Sequence, residues 1–174
     1  MIERGDYGNV YLALNATTGE MIAVKQVEMP RTPSDRNDSR RATVVQALKL
    51  EIETLKDLDH PNIVQYLGFE ETPSNLSIFL EYVPGGSIGS VLLKHGKLSE
   101  MNTKSFTGQI LSGLEYLHSK GILHRDLKAD NVLVEASGVC KISDFGISKW
   151  SEDFHAGHRL LDGARGAKST RDPV

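Results

Sequence analysis

The chain has 174 residues, of which 39% are hydrophobic and 25% charged, with a net charge of −3. That is enough for one well-buried domain or two small lobes, and the composition is that of a globular rather than a disordered chain. The charge gives no electrostatic basis for nucleic acid or an anionic membrane as partner. No apolar run approaches the ~20 residues that span a bilayer, and the first residues lack the layout of a signal peptide. The single cysteine, Cys140, excludes an internal disulfide and fits a reducing compartment, so a cytoplasmic location is expected. Nothing in the residues specifies an oligomeric state.

Gly5-Asp6-Tyr7-Gly8-Asn9-Val10 places two glycines at a turn, Val10 to Leu14 reads as a strand, and Met21 to Val27 as its return. A glycine-rich tip lets backbone N–H groups approach an anion, because no Cβ obstructs them; alone, it reads equally as an ordinary hairpin turn. Period-two alternation sets Lys25 on one face with Met21, Ala23 and Val27, where an ammonium either snorkels outward or meets an anion. Residues 30–41 read as a polar loop. A helix is expected over Ala42 to Leu58, with Val45, Leu48, Ile52, Leu55 and Leu58 as its apolar stripe. Glu51 falls inside that stripe. It either pairs with Lys25 or forms a solvated pair with Lys56 at the stripe edge.

Strands are expected at Ile63 to Leu67 and Leu76 to Leu80, which makes the first part an antiparallel sheet with one helix. Pro84-Gly85-Gly86-Ser87 is a natural boundary. Ser87 is an expected N-cap for a short helix ending at Gly96. Ser99 caps a longer one striped by Phe106, Ile110, Leu114 and Leu117 and stopped by Gly121. A hairpin is expected from Val132 to Val134 and Val139 to Ile142. From Trp150 onward the periodicity is lost, and residues 150–174 read as a tail without a fold of its own; His155 and His158 there read as exposed rather than as zinc ligands.

Between apolar runs lies His124-Arg125-Asp126-Leu127-Lys128-Ala129-Asp130-Asn131, and beyond it Asp144-Phe145-Gly146. So many ionisable groups beside core segments are costly without a purpose. Phosphoryl transfer from ATP needs a cover for the phosphates, a cation on their oxygens, Mg²⁺ and a group that orients the nucleophile. The chain offers these in order: the Gly5/Gly8 turn, Lys25 steadied by Glu51, the hard oxygens of Asn131 and Asp144, and Asp126 as base. Lys128 is placed to neutralise the transferring phosphate, and Asp130 reads as a solvated loop residue.

Ile22-Ala23-Val24-Lys25, the His124 to Asn131 loop and Asp144-Phe145-Gly146 together resemble the signature of eukaryotic protein kinases, a motif set long worked out in general terms. Lys128 in this form of the loop resembles the serine/threonine class. The resemblance implies an α+β, bilobal fold. An N-lobe of antiparallel sheet plus one helix (residues 1–83) would precede part of a helical C-lobe (residues 84–149). It also implies ATP and Mg²⁺ as cofactors. Leu80 would be the gatekeeper, with the backbone of Glu81-Tyr82-Val83 on adenine and Val10, Ala23 and Leu133 around its ring. Leu55, Tyr66, His124 and Phe145 would stack as a regulatory spine, and Arg125 would meet a phosphorylated activation loop.

His60-Pro61-Asn62-Ile63-Val64-Gln65-Tyr66-Leu67-Gly68 and Pro84-Gly85-Gly86-Ser87-Ile88 are similar to MAP kinase kinase kinases, and the run Gly121 to Lys149 to fungal members of cell-wall integrity signalling. The implied partner is a MAP kinase kinase, phosphorylated on Ser/Thr. Two departures stand out. Glu3 occupies the first glycine position of the loop, where its charge would repel phosphates and weaken ATP affinity. No Ala-Pro-Glu motif follows Lys149. The stripe of the long helix would then lose burial of about 1.5–3 kcal/mol per large side chain. The expectation is a poorly folded stretch with little or no activity by itself; the alternative reading is a kinase-derived binding or decoy module.

Overall fold

A computed structural model of the chain describes residues 3–5, 8–30 and 39–150. Five antiparallel strands form one sheet in the order β1-β2-β3-β5-β4: β1 (Glu3–Gly5), β2 (Gly8–Leu14), β3 (Met21–Glu28), β4 (Tyr66–Glu71) and β5 (Asn75–Glu81). Gly5 pairs with Gly8 at the closed end of the β1–β2 hairpin. β3 keeps the expected alternation: Lys25 and Val27 are buried and Ala23 half-buried, while Met21 is exposed at the strand's start.

Helix α1 spans Ser39–Leu55, three residues earlier at each end than the Ala42 to Leu58 that periodicity gives. Its first residues are exposed and polar, so no apolar repeat marks them. At the other end the chain tightens, with Leu58 N donating to Leu55 O at 3.0 Å, which still delivers Leu58 to the core. Val45, Leu48, Ile52 and Leu55 are buried as their spacing requires, and Glu51 is buried among them.

The strand expected at Ile63 to Leu67 begins instead at Tyr66. Ile63 and Val64 are claimed by the second half of the chain, where Val64 N donates to Ile142 O at 3.0 Å and Ile142 N to Asn62 O at 2.9 Å. This loop is the main bolt between the two halves. Asn62 Nδ2 donates to Cys140 O at 2.9 Å and to Gln109 Oε1 at 3.1 Å. Gly113 lets a helix approach it, since a Cβ there would lie 3.1 Å from Asn62 O and 3.0 Å from Ile142 Cδ1.

Both serine caps form as expected. Ser87 Oγ accepts from Ser90 N at the start of α2 (Ile88–His95), which ends at Gly96. Ser99 Oγ accepts from Asn102 N at the start of α3 (Glu100–Ser119), and Gly121 follows with φ 73°. The α3 stripe faces inward. Leu117 is fully buried and Leu114 packs on the same core, while Phe106 and Ile110 lie against Ile88, Val132, Val134 and Cys140. Gly85 is required where the chain crosses between halves, because a Cβ would fall 2.1 Å from Val134 O.

Two short ladders complete the description. β6 (Ile122–Leu123) pairs with β9 (Lys149–Trp150), and β7 (Val132–Val134) with β8 (Cys140–Ile142). Trp150 therefore stands in a strand, whereas the rest of the expected tail, with His155 and His158, lies outside the described residues, as do most of the 30–41 loop and the side chain of Glu3. Among the described residues, no helix is long and apolar enough to cross a membrane.

Candidate active site

One cavity between the sheet and the second half of the chain is lined by Val10, Ala23, Lys25, Glu51, Leu80, Glu81, Asn131, Leu133 and Asp144. Those nine residues come from β2, β3, α1, β5, the turn before β7, β7 itself and the loop after β8. Val10, Ala23, Leu80 and Leu133 supply its apolar walls, and Lys25, Glu51 and Asp144 a cluster of charge. Gly5 and Gly8 sit at the hairpin's closed end, and Val83 is buried beyond β5 and outside the lining. It does include Asp130, expected as a solvated loop residue and exposed here, together with Ser143 and Val64, to which no site role was assigned. Asp130 sat in plain view inside the polar loop, and Ser143 directly precedes Asp144; Val64 had no polar signal to find.

Lys25 is the centre of the charged part. Its Nζ lies 2.7 Å from Glu51 Oε2 and 3.0 Å from Asp144 Oδ1, so the pairing with Glu51 forms and Lys56 bonds Glu53 instead. Burial by itself would lower the Lys25 pKa. The charges of Glu51 and Asp144, with their hydrogen bonds, outweigh it and hold the ammonium above its ordinary value. Glu51 Oε1 also stands 3.4 Å from the Phe145 N–H.

The loop ahead of β7 is organised by Asn131, whose Nδ2 donates to Asp126 O at 2.8 Å and to Asp126 Oδ2 at 3.1 Å. Lys128 Nζ lies 3.1 Å from the same Oδ2. Lys128's hydrogen bond is the first cause that holds the Asp126 carboxyl below the usual carboxylate range, so Asp126 is ionised at neutral pH. Ser143 ties the two loops together, its N and Oγ both donating to Asn131 O at 2.9 and 3.2 Å.

His124 is buried beneath this loop and meets Phe145 edge-on at 4.9 Å. Its Nε2 faces Ser143 O at 3.0 Å and its Nδ1 accepts from Asp126 N at 3.3 Å. A carbonyl can only accept, so the proton sits on Nε2 and the ring is neutral. Burial pushes its pKa down accordingly. Of the four residues expected to stack, His124 and Phe145 are in contact, Leu55 and Phe145 lie in one large buried cluster, and Tyr66 packs against that cluster. Arg125 and Asp144 adopt φ values of 66° and 65°, sparsely populated for side-chain-bearing residues, and Arg125 Nε is tied to Ile147 O at 2.6 Å. Cys140 is buried with its thiol pushed up to about 11, and stays protonated and unreactive.

The donor set suits Mg²⁺. Asp144 brings a carboxylate to the cavity, and Asn131, whose Nδ2 is spent on Asp126, presents its amide oxygen as the remaining ligating end. Among the described residues, no three of His, Cys, Asp or Glu gather into an all-protein metal cage. One carboxylate and one amide would fit the sparse hard-oxygen coordination that Mg²⁺ takes alongside phosphates and water.

Residues 1–160 match the family model of the protein kinase domain, a span that runs past Lys149. The chain is 57% identical over 155 residues to the MAP kinase kinase kinase mkh1 of Schizosaccharomyces pombe, covering 89% of this chain and 14% of that protein. It is 58% identical over 156 residues to the serine/threonine-protein kinase BCK1/SLK1/SSP31 of Saccharomyces cerevisiae, covering 90% and 10%. Over 169 residues it is 52% identical to the mitogen-activated protein kinase kinase kinase MST11 of Pyricularia oryzae, covering 97% and 18%. The chain thus spans less than a fifth of the length of these relatives.

Proposed function

The chain belongs to the protein kinase domain family, and we propose that it carries out the transfer of the ATP γ-phosphate to Ser/Thr of a MAP kinase kinase in a signalling cascade. The observation that carries this reading is Lys25 held between Glu51 and Asp144 in the same cavity as Asn131. In this reading the apolar walls take the adenine ring, with the hairpin glycines over the phosphates and the backbone of Glu81 and Val83 on the base. Lys25 presents a fixed positive charge to phosphate oxygens at no cost of reorganisation, because Glu51 already orients it.

Asn131 and Asp144 are the residues that would hold Mg²⁺, which when bound supplies charge neutralisation for the phosphates. Asp126, ionised and about one-third exposed, orients the incoming hydroxyl and accepts its proton. Lys128 beside it offsets the charge of the phosphate in transfer. The cytoplasm is the compartment where this substrate class and a free cysteine fit together.

Incubating the chain with labelled ATP, Mg²⁺ and a MAP kinase kinase is expected to give slow phosphate incorporation that Asp126→Asn abolishes. Incorporation that survives Asp126→Asn contradicts the reading. MgATP binding without any incorporation favours the binding-module alternative.

A further inference from the structure

Helix α1 and the segment after Asp144 also meet through two side chains that the site above leaves unused. Thr54 and Ser148 are 1% and 2% exposed, and their hydroxyl oxygens lie 3.2 Å apart across 94 residues of sequence. Thr54 stands three residues beyond Glu51 on α1. Ser148 stands four beyond Asp144, in a turn closed by Ser148 N donating to Phe145 O at 3.0 Å.

A proton count identifies what the contact is. Thr54 Oγ1 is also 2.7 Å from Leu50 O, and Ser148 Oγ 2.8 Å from Phe145 O. Three contacts thus compete for two hydroxyl protons. If both protons pointed at carbonyls, two buried oxygens would face each other with no proton between them. Neither carbonyl depends on the hydroxyl. Leu50 O lies inside α1, where the N–H four residues on supplies a donor, and Phe145 O already accepts the Ser148 amide. The favoured arrangements therefore place one proton between Thr54 and Ser148, in either direction, and leave the other on a carbonyl.

We propose that Thr54 and Ser148 are positioning residues: a hydroxyl bridge that fixes the turn of α1 carrying Glu51 against the segment carrying Asp144, so that both carboxylates stay on Lys25. The bridge itself stands on the geometry; its consequence for nucleotide rests on the MgATP reading of the cavity. At 3.2 Å the bond is long for O–H···O, so an effect of about fivefold is expected rather than a hundredfold one. Losing either hydroxyl leaves its partner a carbonyl to bond, so no orphaned buried donor is created and the fold tolerates the change.

The test compares Thr54→Val, Thr54→Ser, Ser148→Ala and the Thr54→Val/Ser148→Ala double variant of the whole chain. Hydrogen exchange without nucleotide is read first. Thr54→Val should speed exchange of the Ser148 amide about fivefold, Thr54→Ser should not, and the double variant should add nothing further. Affinity for MgATP should fall by a similar factor in Thr54→Val and stay at the wild-type value in Thr54→Ser. Unaltered exchange in Thr54→Val, equal effects of valine and serine, or additive effects in the double variant would each overturn the bridge. A wild-type chain that binds no MgATP yet shows the exchange pattern supports the bridge and overturns the reading of the cavity instead.

Discussion

Lys25 Nζ sits 2.7 Å from Glu51 Oε2 in a setting where the two side chains are only 8% and 1% exposed. A pair so far from water is asymmetric in its energetics: the intact pair adds little, but breaking it strands a charge. Lys25→Met is expected to destabilise the chain by about 3–5 kcal/mol in urea unfolding, and Lys25→Met/Glu51→Met to recover most of that. Because the Lys25 pKa is raised, its contribution is complete below the ordinary lysine value of 10.5 and is lost only as pH rises through the higher folded value. The pair is therefore insensitive to pH across the neutral range.

His124 supplies the pH dependence that Lys25 does not. Its folded pKa lies below the ordinary 6.5, so the unfolded chain binds the proton more readily. The stability it contributes is whole above 6.5 and drains as pH falls through the folded value. Thermal melts should show a decline beginning near pH 6.5, no steeper than about 1.4 kcal/mol per pH unit for one group. His124→Phe should remove that slope. Asp126, held below 3.8, contributes its own slope only below that value.

Asn131 should matter more to rate than to stability. It holds Asp126 from two directions, and Asn131→Ala frees that carboxylate while leaving Lys128 beside it. Phosphate transfer by Asn131→Ala is expected to fall at least tenfold, with unfolding shifted by about 1–2 kcal/mol. Equal transfer rates in mutant and wild type would contradict both the support of Asp126 and the metal role given to Asn131.

Two polar contacts of similar length should differ sharply in weight. Asn62 is buried between the halves and feeds Cys140 O and Gln109, so Asn62→Ala is expected to cost about 1–3 kcal/mol. Lys49 pairs with Glu71 at 3.2 Å with both side chains exposed, and Lys49→Ala should change stability by no more than about 0.5 kcal/mol. Chemical denaturation of both variants checks the contrast.

What the sequence made legible follows from how local each signal is. The Ser87 and Ser99 caps form because capping is settled within four residues. Period two and period 3.6 each put a charge on an apolar face, which made a Lys25–Glu51 pair one of two readings, and the later motifs favoured it over a solvated Glu51–Lys56 pair. The start of β4 was not legible, because Ile63 and Val64 are strand-like residues diverted by Ile142, about eighty residues away. Asp130 and Ser143 escaped for a different reason: a loop's residue types do not say which of them turn toward a cavity. Thr54 and Ser148 carried no signal at all, since a hydroxyl on a helix and one two residues past a glycine are unremarkable until the fold buries them together. The assignments to phosphate and metal came from the requirements of phosphoryl transfer and those to adenine from resemblance, and the geometry now supplies the cavity in which they can be tried.

The central claim is that this cavity binds ATP through Mg²⁺ held by Asn131 and Asp144. The most direct measurement is calorimetric titration of the chain with ATP, with and without Mg²⁺, beside Asp144→Asn. The account predicts binding that Mg²⁺ strengthens at least tenfold in the wild-type chain, and that Asp144→Asn leaves at the Mg²⁺-free level. Equal affinity with and without Mg²⁺, or a Mg²⁺ effect that survives Asp144→Asn, would contradict it.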